Sequence, residues 1–452
     1  MASSNEEKNI FLIKEISGLE NEEKLYKFHV YSQQELRVET EELSQIIKKK
    51  LRLCNFKSIF DFFRQLLVTL LLPKGYPDSV CPEYVQFQFW DTCQEACGYF
   101  RGILANQAYL TTLGVGNPDV TVFSAIVMTM ILDYASMVSG LIFAGSPTMV
   151  RKFAIHQRYW IMVHEGLNLV STSFTLVSCL FPEYIIHILI VRNVLGALAS
   201  VINGCCHSML VTHIARKNNF SDCNAKEGNQ SRTLKFLIIG IGYEFLIFVY
   251  NDGRSALVAF AILSFGKLLC QYKAMKTLKL RTLSPYRLQS CIKTWYNDDV
   301  SKMEISEVAD REAVLYRQYG SINSVGSNIA KLKCSEAHFS SIVRIHSGVP
   351  HILVASDVSN NIDVLLKVEA SETDIFKAYI HAFLYSIQRD ATDNDNLGKH
   401  ILQNTKETLE LTLKNYTKIM ETLKSLGWDI ENSTLLPSSE NRVEIDNSKK
   451  DL

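Results

Sequence analysis

The sequence predicts a mainly α-helical protein, a polytopic membrane helical bundle followed by a small soluble α+β C-terminal domain. Three observations lead there. Residues 56–270 are mostly apolar, whereas the chain on either side is charged and polar. Five long apolar segments follow one another between residues 121 and 269. Beyond residue 285, short β-branched runs alternate with amphipathic helical patterns. Such a split implies two solvents, lipid and water. It divides the chain into a polar N-terminal leader over 1–55, a hydrophobic helical domain over 56–285 and the C-terminal domain over 286–452.

The leader is rich in Glu and Lys and lacks an apolar stretch, so it does not read as a secretory signal. A short helix is predicted over 41–53. Residues 59–72 form an apolar amphipathic helix interrupted by Asp61 and Arg64, and Pro73 stops it. Turn-forming residues 73–80 make a loop. Residues 90–113 are helical again, with Arg101 as the only cation, and the Gly114-Val115-Gly116-Asn117-Pro118 run ends them.

Residues 121–144 hold a single charge, Asp133. A helix of that length spans roughly 36 Å, enough for a hydrocarbon layer of about 30 Å. The next segment, 160–181, carries His164 and Glu165. Segment 185–214 carries Arg192, segment 234–250 carries Glu244, and the shorter 256–269 has Lys267 near its end. Tight turns at Pro182 and Asn251 read as helical hairpins. A soluble all-α core is the alternative, because lipid disfavours each ionisable group by about 3 kcal/mol. Five such segments are hard to bury in a soluble fold of this size, and the membrane reading is preferred.

In the C-terminal region a helix is predicted over 304–316, strands over 351–356 and 362–368, and a helix over 371–387 opened by Ser371 as N-cap. A polar linker over 390–396 leads to a helix over 402–426 that Gly427 ends. Residues 435–436 and 443–445 suggest a last strand.

Composition and motifs exclude several classes. Lys and Arg number 47 against 47 Asp and Glu, without the basic excess of a nucleic-acid-binding protein. The 11 cysteines include no C-x-x-C pair, so zinc-finger and thioredoxin readings fail. His164-Glu165 lacks the second histidine of a zincin, and the 114–116 glycines lack a phosphate loop's pattern. No nucleophile elbow, Walker or kinase motif occurs, and no residue pattern names a cofactor or a metal.

The candidate site residues fall into two groups. Asp133, Glu165, Arg192 and Glu244 are ionisable groups in apolar surroundings, where they either pair to hold helices together or line a ligand pathway. The second group lies in the segment 215–233: Arg216, Asn218, Asn219, Asp222, Lys226, Gly228 and Gln230. With a helix expected to begin at Leu234, these residues would frame its N-terminus, which favours anions. An anionic small molecule, with phosphorylated compounds as the leading case, is the implied ligand. The alternative is a solvated loop whose basic residues set topology. Basic residues also mark 145–159 and 271–287, a pattern that puts these loops and the C-terminal domain on the cytosolic or equivalent side of the bilayer.

Two stretches carry a family resemblance. The first is Leu72-Pro73-Lys74-Gly75-Tyr76-Pro77-Asp78-Ser79-Val80, followed by Tyr84, Gln88, Trp90 and Asp91. The second runs from Thr212-His213-Ile214-Ala215-Arg216-Lys217-Asn218-Asn219 through Ser221-Asp222, Ala225-Lys226-Glu227-Gly228 and Gln230. Both resemble signatures of the Root UVB Sensitive (RUS) family. The C-terminal region matches more loosely, through Lys377-Ala378-Tyr379 and Gly427-Trp428-Asp429. One departure lies after Asp133, where Tyr134, Ala135 and Ser136 replace the family's glycines. In the first stretch, Tyr76, Tyr84 and Trp90 are read as aromatic anchors at a membrane interface.

The resemblance implies links to UV-B sensing, development and vitamin B6 homeostasis, and implies no reaction. Three readings stay open: a non-enzymatic carrier or ligand-binding membrane protein, a membrane scaffold whose C-terminal domain binds a RUS-family paralogue or another protein, and a membrane-embedded enzyme using Asp133 or Glu165.

Overall fold

The computed structural model describes residues 10–16, 23–29, 37–38, 56–114, 121–250, 253–315, 322–357, 361–390, 397–435, 437 and 441–445. The chain forms two compact units, residues 1–70 and 71–452. In the first, the leader carries an antiparallel sheet of β1 (Ile10–Ile16), β2 (Glu23–His29) and β3 (Arg37–Val38), in that order. A merely polar leader was expected. The strands were hidden because Lys and Glu interrupt their apolar positions; the antiparallel register sets Glu15 opposite Lys24. The helix predicted over 41–53 lies outside the described residues. Helix α1 (Phe56–Leu71) runs to the end of this unit.

The second unit opens with the loop after Pro73 and continues as a bundle. Its helices are α2 (Tyr84–Thr112), α3 (Val122–Ala144), the short α4 (Pro147–Ile155), α5 (Gln157–Ser178), α6 (Ile185–Ile214), α7 (Phe220–Tyr250) and α8 (Gly253–Thr277). Helix α5 packs along α6, and α2 packs along α8. Gly114, at a φ of 82°, ends α2 in a left-handed turn that a side chain would strain. Val115 to Pro118, also read as helix-breaking, lie outside the described residues, as do Asn251 and Asp252 of the second hairpin turn. The first hairpin turn is a 3-10 turn over Pro182–Tyr184.

Two boundaries differ from expectation. The basic segment 145–159 is helical for most of its length, as α4 and the start of α5. Helix α7 begins at Phe220, fourteen residues ahead of Leu234; its first turns are rich in weak helix formers such as Ser221, Asp222, Asn224 and Gly228, and contacts to the rest of the bundle, Gln230 to Leu71 O and Ser231 to Glu95, support them instead. Among the described residues, three helices are long and apolar enough to cross a membrane: Val122–Ala144, Pro182–Ile214 and Arg254–Thr277. Five had been expected. Helix α5 carries Gln157, Arg158, His164, Glu165 and Asn168, which lower its hydropathy.

The C-terminal domain comprises α9 (Pro285–Tyr296), α10 (Ile305–Arg311), β4 (Ile322–Val325), α11 (Glu336–Ile345), β5 (His351–Ala355), β6 (Ile362–Leu366), α12 (Glu372–Asp390) and α13 (Leu397–Ser425). The α+β expectation holds for this region. Strand β6 is central, antiparallel to β5 and parallel to β4, which the sequence reading missed. Both β5 and β6 are buried throughout, which explains their largely apolar composition, and the buried Asp363 of β6 accepts from Ser327 at 2.7 Å. Their core partners include Phe376, Phe383, Tyr385, Ile419 and Trp428. Residues 443–445 contribute only an isolated bridge, Val443 with Lys367. Gly427, at a φ of 83°, closes α13, and the Trp428 N–H reaches back to Leu423 O.

Candidate functional site

The two signature stretches bond to each other. Val80 bridges Ala215, the Cys81 N–H donates to Ile214 O at 3.1 Å, and Ser79 O accepts from the Arg216 N–H and the Asn219 side chain at 3.1 and 3.2 Å. The Lys74 N–H donates to Asp222 at 2.6 Å. Gln230 donates to Leu71 O at 2.5 Å and to the Tyr84 hydroxyl at 3.0 Å. Two left-handed residues make these turns possible, Gly75 at φ 76° and Asn218 at φ 53°. The Tyr76-Pro77 peptide is cis. Tyr84 is buried, with the Tyr76 ring 6.1 Å from its own, so Tyr84 is a core residue instead of an interfacial anchor. Trp90 takes the Lys273 ammonium over its ring at 4.2 Å.

This junction accounts structurally for Arg216, Asn218, Asn219, Asp222 and Gln230. Lys226, Gly228 and Gln230 lie inside α7, at least one turn past its start, and do not frame a free helix N-terminus. Below the bridge, Cys81, Glu83 and His213 converge, with their ligand-type atoms within 4.8 Å of one another. Glu83 and His213 already satisfy each other at 3.0 Å, and Glu83 also accepts from the Lys279 N–H. Burial, reinforced by Glu83, pushes the Cys81 thiol up to about 12, against metal binding by that sulfur.

The bundle holds a half-open cavity of about 940 Å³, lined by α2, α5, α6, α7 and α8. Helical spacing explains why α2 contributes so much: Asp91, Glu95, Gly98, Gly102, Ala105 and Tyr109 recur every three or four residues and line one face. Lys267 and Gln271 of α8 share a face in the same way. Glu165, Arg192, Gly228 and Asp91 all line this cavity. Asp133 and Glu244 do not, and both are exposed on the outside of their helices. The family departure at Tyr134 falls on the same exposed surface of α3.

At the centre, Lys267 Nζ lies 2.6 Å from both oxygens of Glu165. Gly98 leaves the room for this lysine, since a Cβ there would meet Lys267 Cε at 2.7 Å. His164 holds Ala199 O through Nδ1 at 2.9 Å and turns Nε2 to Glu165 at 3.4 Å.

Two arginines lie further along. Arg101, 4% exposed, donates to Asn168 at 3.3 Å, and its buried Nη1 has no hydrogen-bond partner. Arg192 donates to Asn193 at 2.8 Å and sits 5.0 Å from the Tyr109 ring centroid, while its buried Nε is likewise unpartnered.

The acidic end comprises Asp91, Glu95 and Glu227. Glu95 accepts from Ser231 at 2.5 Å, and Glu227 lies 3.6 Å from His207. Burial and the neighbouring Glu95 push Glu227 up to about 7; burial, Glu227 and Glu95 do the same to Asp91. Sequence reasoning missed Glu95, Arg101, Glu227 and Lys267 as site residues. The signal available was the spacing of charges along a helix otherwise rich in aromatic and small residues.

Residues 60–299, which contain the cavity, match the family model described as the vitamin B6 photo-protection and homoeostasis domain, and residues 302–445 match the model for the Root UVB sensitive protein C-terminal region. Protein root UVB sensitive 3 of Arabidopsis thaliana is 24% identical over 390 residues, 82% of this chain and 84% of its own. RUS family member 1 of Dictyostelium discoideum is 28% identical over 259 residues, covering 56% of this chain and 48% of its own. Protein root UVB sensitive 6 of Arabidopsis thaliana is 22% identical over 337 residues, 72% of this chain and 64% of its own. No solved structure matches. With both family models together spanning most of its length, and the two signature stretches locked to each other beside the cavity, the chain belongs to the Root UVB sensitive family.

Proposed function

We propose that this protein is an integral membrane protein that binds, and carries, a polar small molecule in the cavity between α2, α5, α6, α7 and α8. One observation supports the reading above others: the bundle is polar inside and apolar outside. Val122, Leu141 and Phe236 are 78%, 75% and 77% exposed, while Arg101, Glu165 and Lys267 are buried around a cavity. An apolar exterior on this scale suits lipid, and ionisable groups facing an internal cavity mark a ligand path. Asp133 is exposed and makes no side-chain hydrogen bond or ion pair among the described residues, and Glu165 is neutralised by Lys267, so the enzyme reading has less support than the carrier reading.

The description of the matching domain makes vitamin B6 compounds the first ligands to test. Gly102 lines the cavity, and a Cβ there meets nothing within 4 Å. A Gly102→Leu chain should therefore fold and present a smaller cavity. The full chain purified in detergent should carry or take up a small molecule, read by mass spectrometry after extraction, and Gly102→Leu should lose it. Equal ligand recovery from both chains would sink the cavity reading.

A further inference from the structure

We infer that Arg101 and Arg192 form the docking point for a phosphoryl group on the cavity's ligand. The inference rests on the ligand-binding reading above and adds the chemistry of one end of the ligand.

The starting point is the cost of a buried cation. A guanidinium is always protonated, and removing it from water is expensive unless a partner anion or a full set of acceptors replaces the hydration. Among the described residues, no carboxylate lies within ion-pair distance of Arg101 or Arg192. Each makes one side-chain hydrogen bond to an asparagine, and each keeps a buried N–H without an acceptor. Such groups are nearly always satisfied in native structures. The two cationic groups line one cavity, and Asn168, which holds Arg101, lines it too.

The nearest candidate counter-ions are committed elsewhere. Both oxygens of Glu165 are held by Lys267, so that pair is neutral by itself. Glu95 and Asp91 precede Arg101 on α2 by six and ten residues, roughly 9 and 15 Å along the helix axis. They face Ser231 and Gln94. The Arg101–Arg192 end therefore retains two uncompensated positive charges. A phosphomonoester carries about −1.5 to −2 at neutral pH and three acceptor oxygens, which matches both the charge and the free donors. A carboxylate would neutralise only half of it. The Tyr109 ring beneath Arg192 holds that guanidinium in place without supplying a counter-charge.

A phosphoryl group can come from a soluble ester or from a lipid headgroup, and the test separates them. The full chain in neutral detergent is melted with inorganic phosphate and with chloride at equal ionic strength. In a second arm it is melted in nanodiscs of phosphatidylcholine with and without phosphatidic acid. Phosphate should raise the melting temperature by several degrees over chloride, and Arg101→Met and Arg192→Met should each abolish the gain. Stabilisation confined to phosphatidic acid, and lost in the same variants, identifies the phosphoryl group as a lipid's. The Met variants also test the premise: without phosphate, Arg101→Met should melt no lower than the unmodified chain, since it removes an unpaired buried cation. No gain in either arm overturns the site. So does a gain that survives both substitutions, or an Arg101→Met chain that melts lower yet still responds. If phosphate has no effect while a copurified ligand is lost in Gly102→Leu, the phosphoryl site fails and the cavity reading stands.

Discussion

Arg158, in the first turn of α5, lies 3.2 Å from Glu312, the residue that follows α10, and the contact joins the helical bundle to the C-terminal domain. Arg287 of α9 holds the same carboxylate through two N–H groups at 3.0 Å. Arg158 also donates to Leu278 O and Ala309 O. Burial alone would raise the Glu312 carboxyl, but Arg287 and Arg158 outweigh it and hold it below the usual range. Two cations on one buried anion make the carboxylate the indispensable member. Glu312→Gln should destabilise the chain by about 3–5 kcal/mol, because it leaves two guanidinium groups buried without a counter-charge. Thermal unfolding in detergent measures this, and an unchanged melting temperature would show that the triad contributes nothing.

A second prediction concerns acid. His346, His351 and His381 are fully buried, and the rings of His351 and His381 meet at 3.1 Å. Burial lowers His346 to about 4 and, with His346 nearby, lowers His351 to about 3; His381 falls well below its ordinary value for the same reasons. The native state therefore holds these rings neutral, whereas the unfolded chain protonates them near 6.5. Their contribution to stability is complete above about pH 6.5 and is lost as pH falls toward the folded values. The depressed Glu312 acts in the same direction, but only below the ordinary range of a glutamate. Asp91 and Glu227, raised to about 7, act the opposite way over the same window, so calorimetry of an Asp91→Asn, Glu227→Gln chain should find the melting temperature falling already between pH 6.5 and 5, where Glu312 is silent. A profile flat over that window would contradict the neutral histidine cluster.

Two glycines of α2 should behave oppositely. A Cβ at Gly98 would displace Lys267 from Glu165, breaking a buried ion pair, although the lysine stem can swing aside. Gly98→Ala should therefore lower the melting temperature and weaken ligand binding. Gly102 opens onto empty cavity, and a helix interior gains up to about 1 kcal/mol when glycine is replaced by a good helix former. Gly102→Leu should hold or raise the melting temperature while emptying the site. The same loss of stability in both variants would mean that the cavity is packed space.

The long helices and the paired strands β5 and β6 were legible because hydrophobic period and turn residues record local structure, whereas the shorter α4, α9 and α11 were not read as helices. The leader's sheet was not, since charged residues interrupt the apolar positions of its strands and mask their period. The cavity was half legible. Glu165 and Arg192 stood out as charges inside apolar runs, but so did Asp133 and Glu244, and sequence cannot say which face of an apolar helix meets the interior. Glu95, Arg101 and Glu227 were overlooked for the opposite reason: on a partly polar helix a charge attracts no notice. Residues 216–222 carried a real signal with a different cause, since their polarity serves the turn that binds Ser79 and Lys74.

The last prediction concerns orientation across a bilayer. The end of α6, the start of α2 and the end of α8 meet at one end of the bundle, because Glu83 accepts from both His213 and the Lys279 N–H. The turn holding Arg216 and Lys217 and the entry to the C-terminal domain are therefore on the same side. Cys179 is exposed beyond the opposite end of α6, before the turn at Pro182. Helix α6 with that turn is among the three segments long and apolar enough to cross a membrane. If it does cross, Cys179 and residue 217 face different compartments, and the basic residues put residue 217 on the cytosolic or equivalent side. Sealed vesicles bearing the chain, treated with an impermeant maleimide, should label Cys179 and a Lys217→Cys residue (the latter in a Cys179→Ser background) from opposite sides. A tag on the C-terminus should follow residue 217. Labelling of both cysteines from one side would show that α6 does not span. Full release of the chain by alkaline carbonate would remove the bilayer from the account altogether.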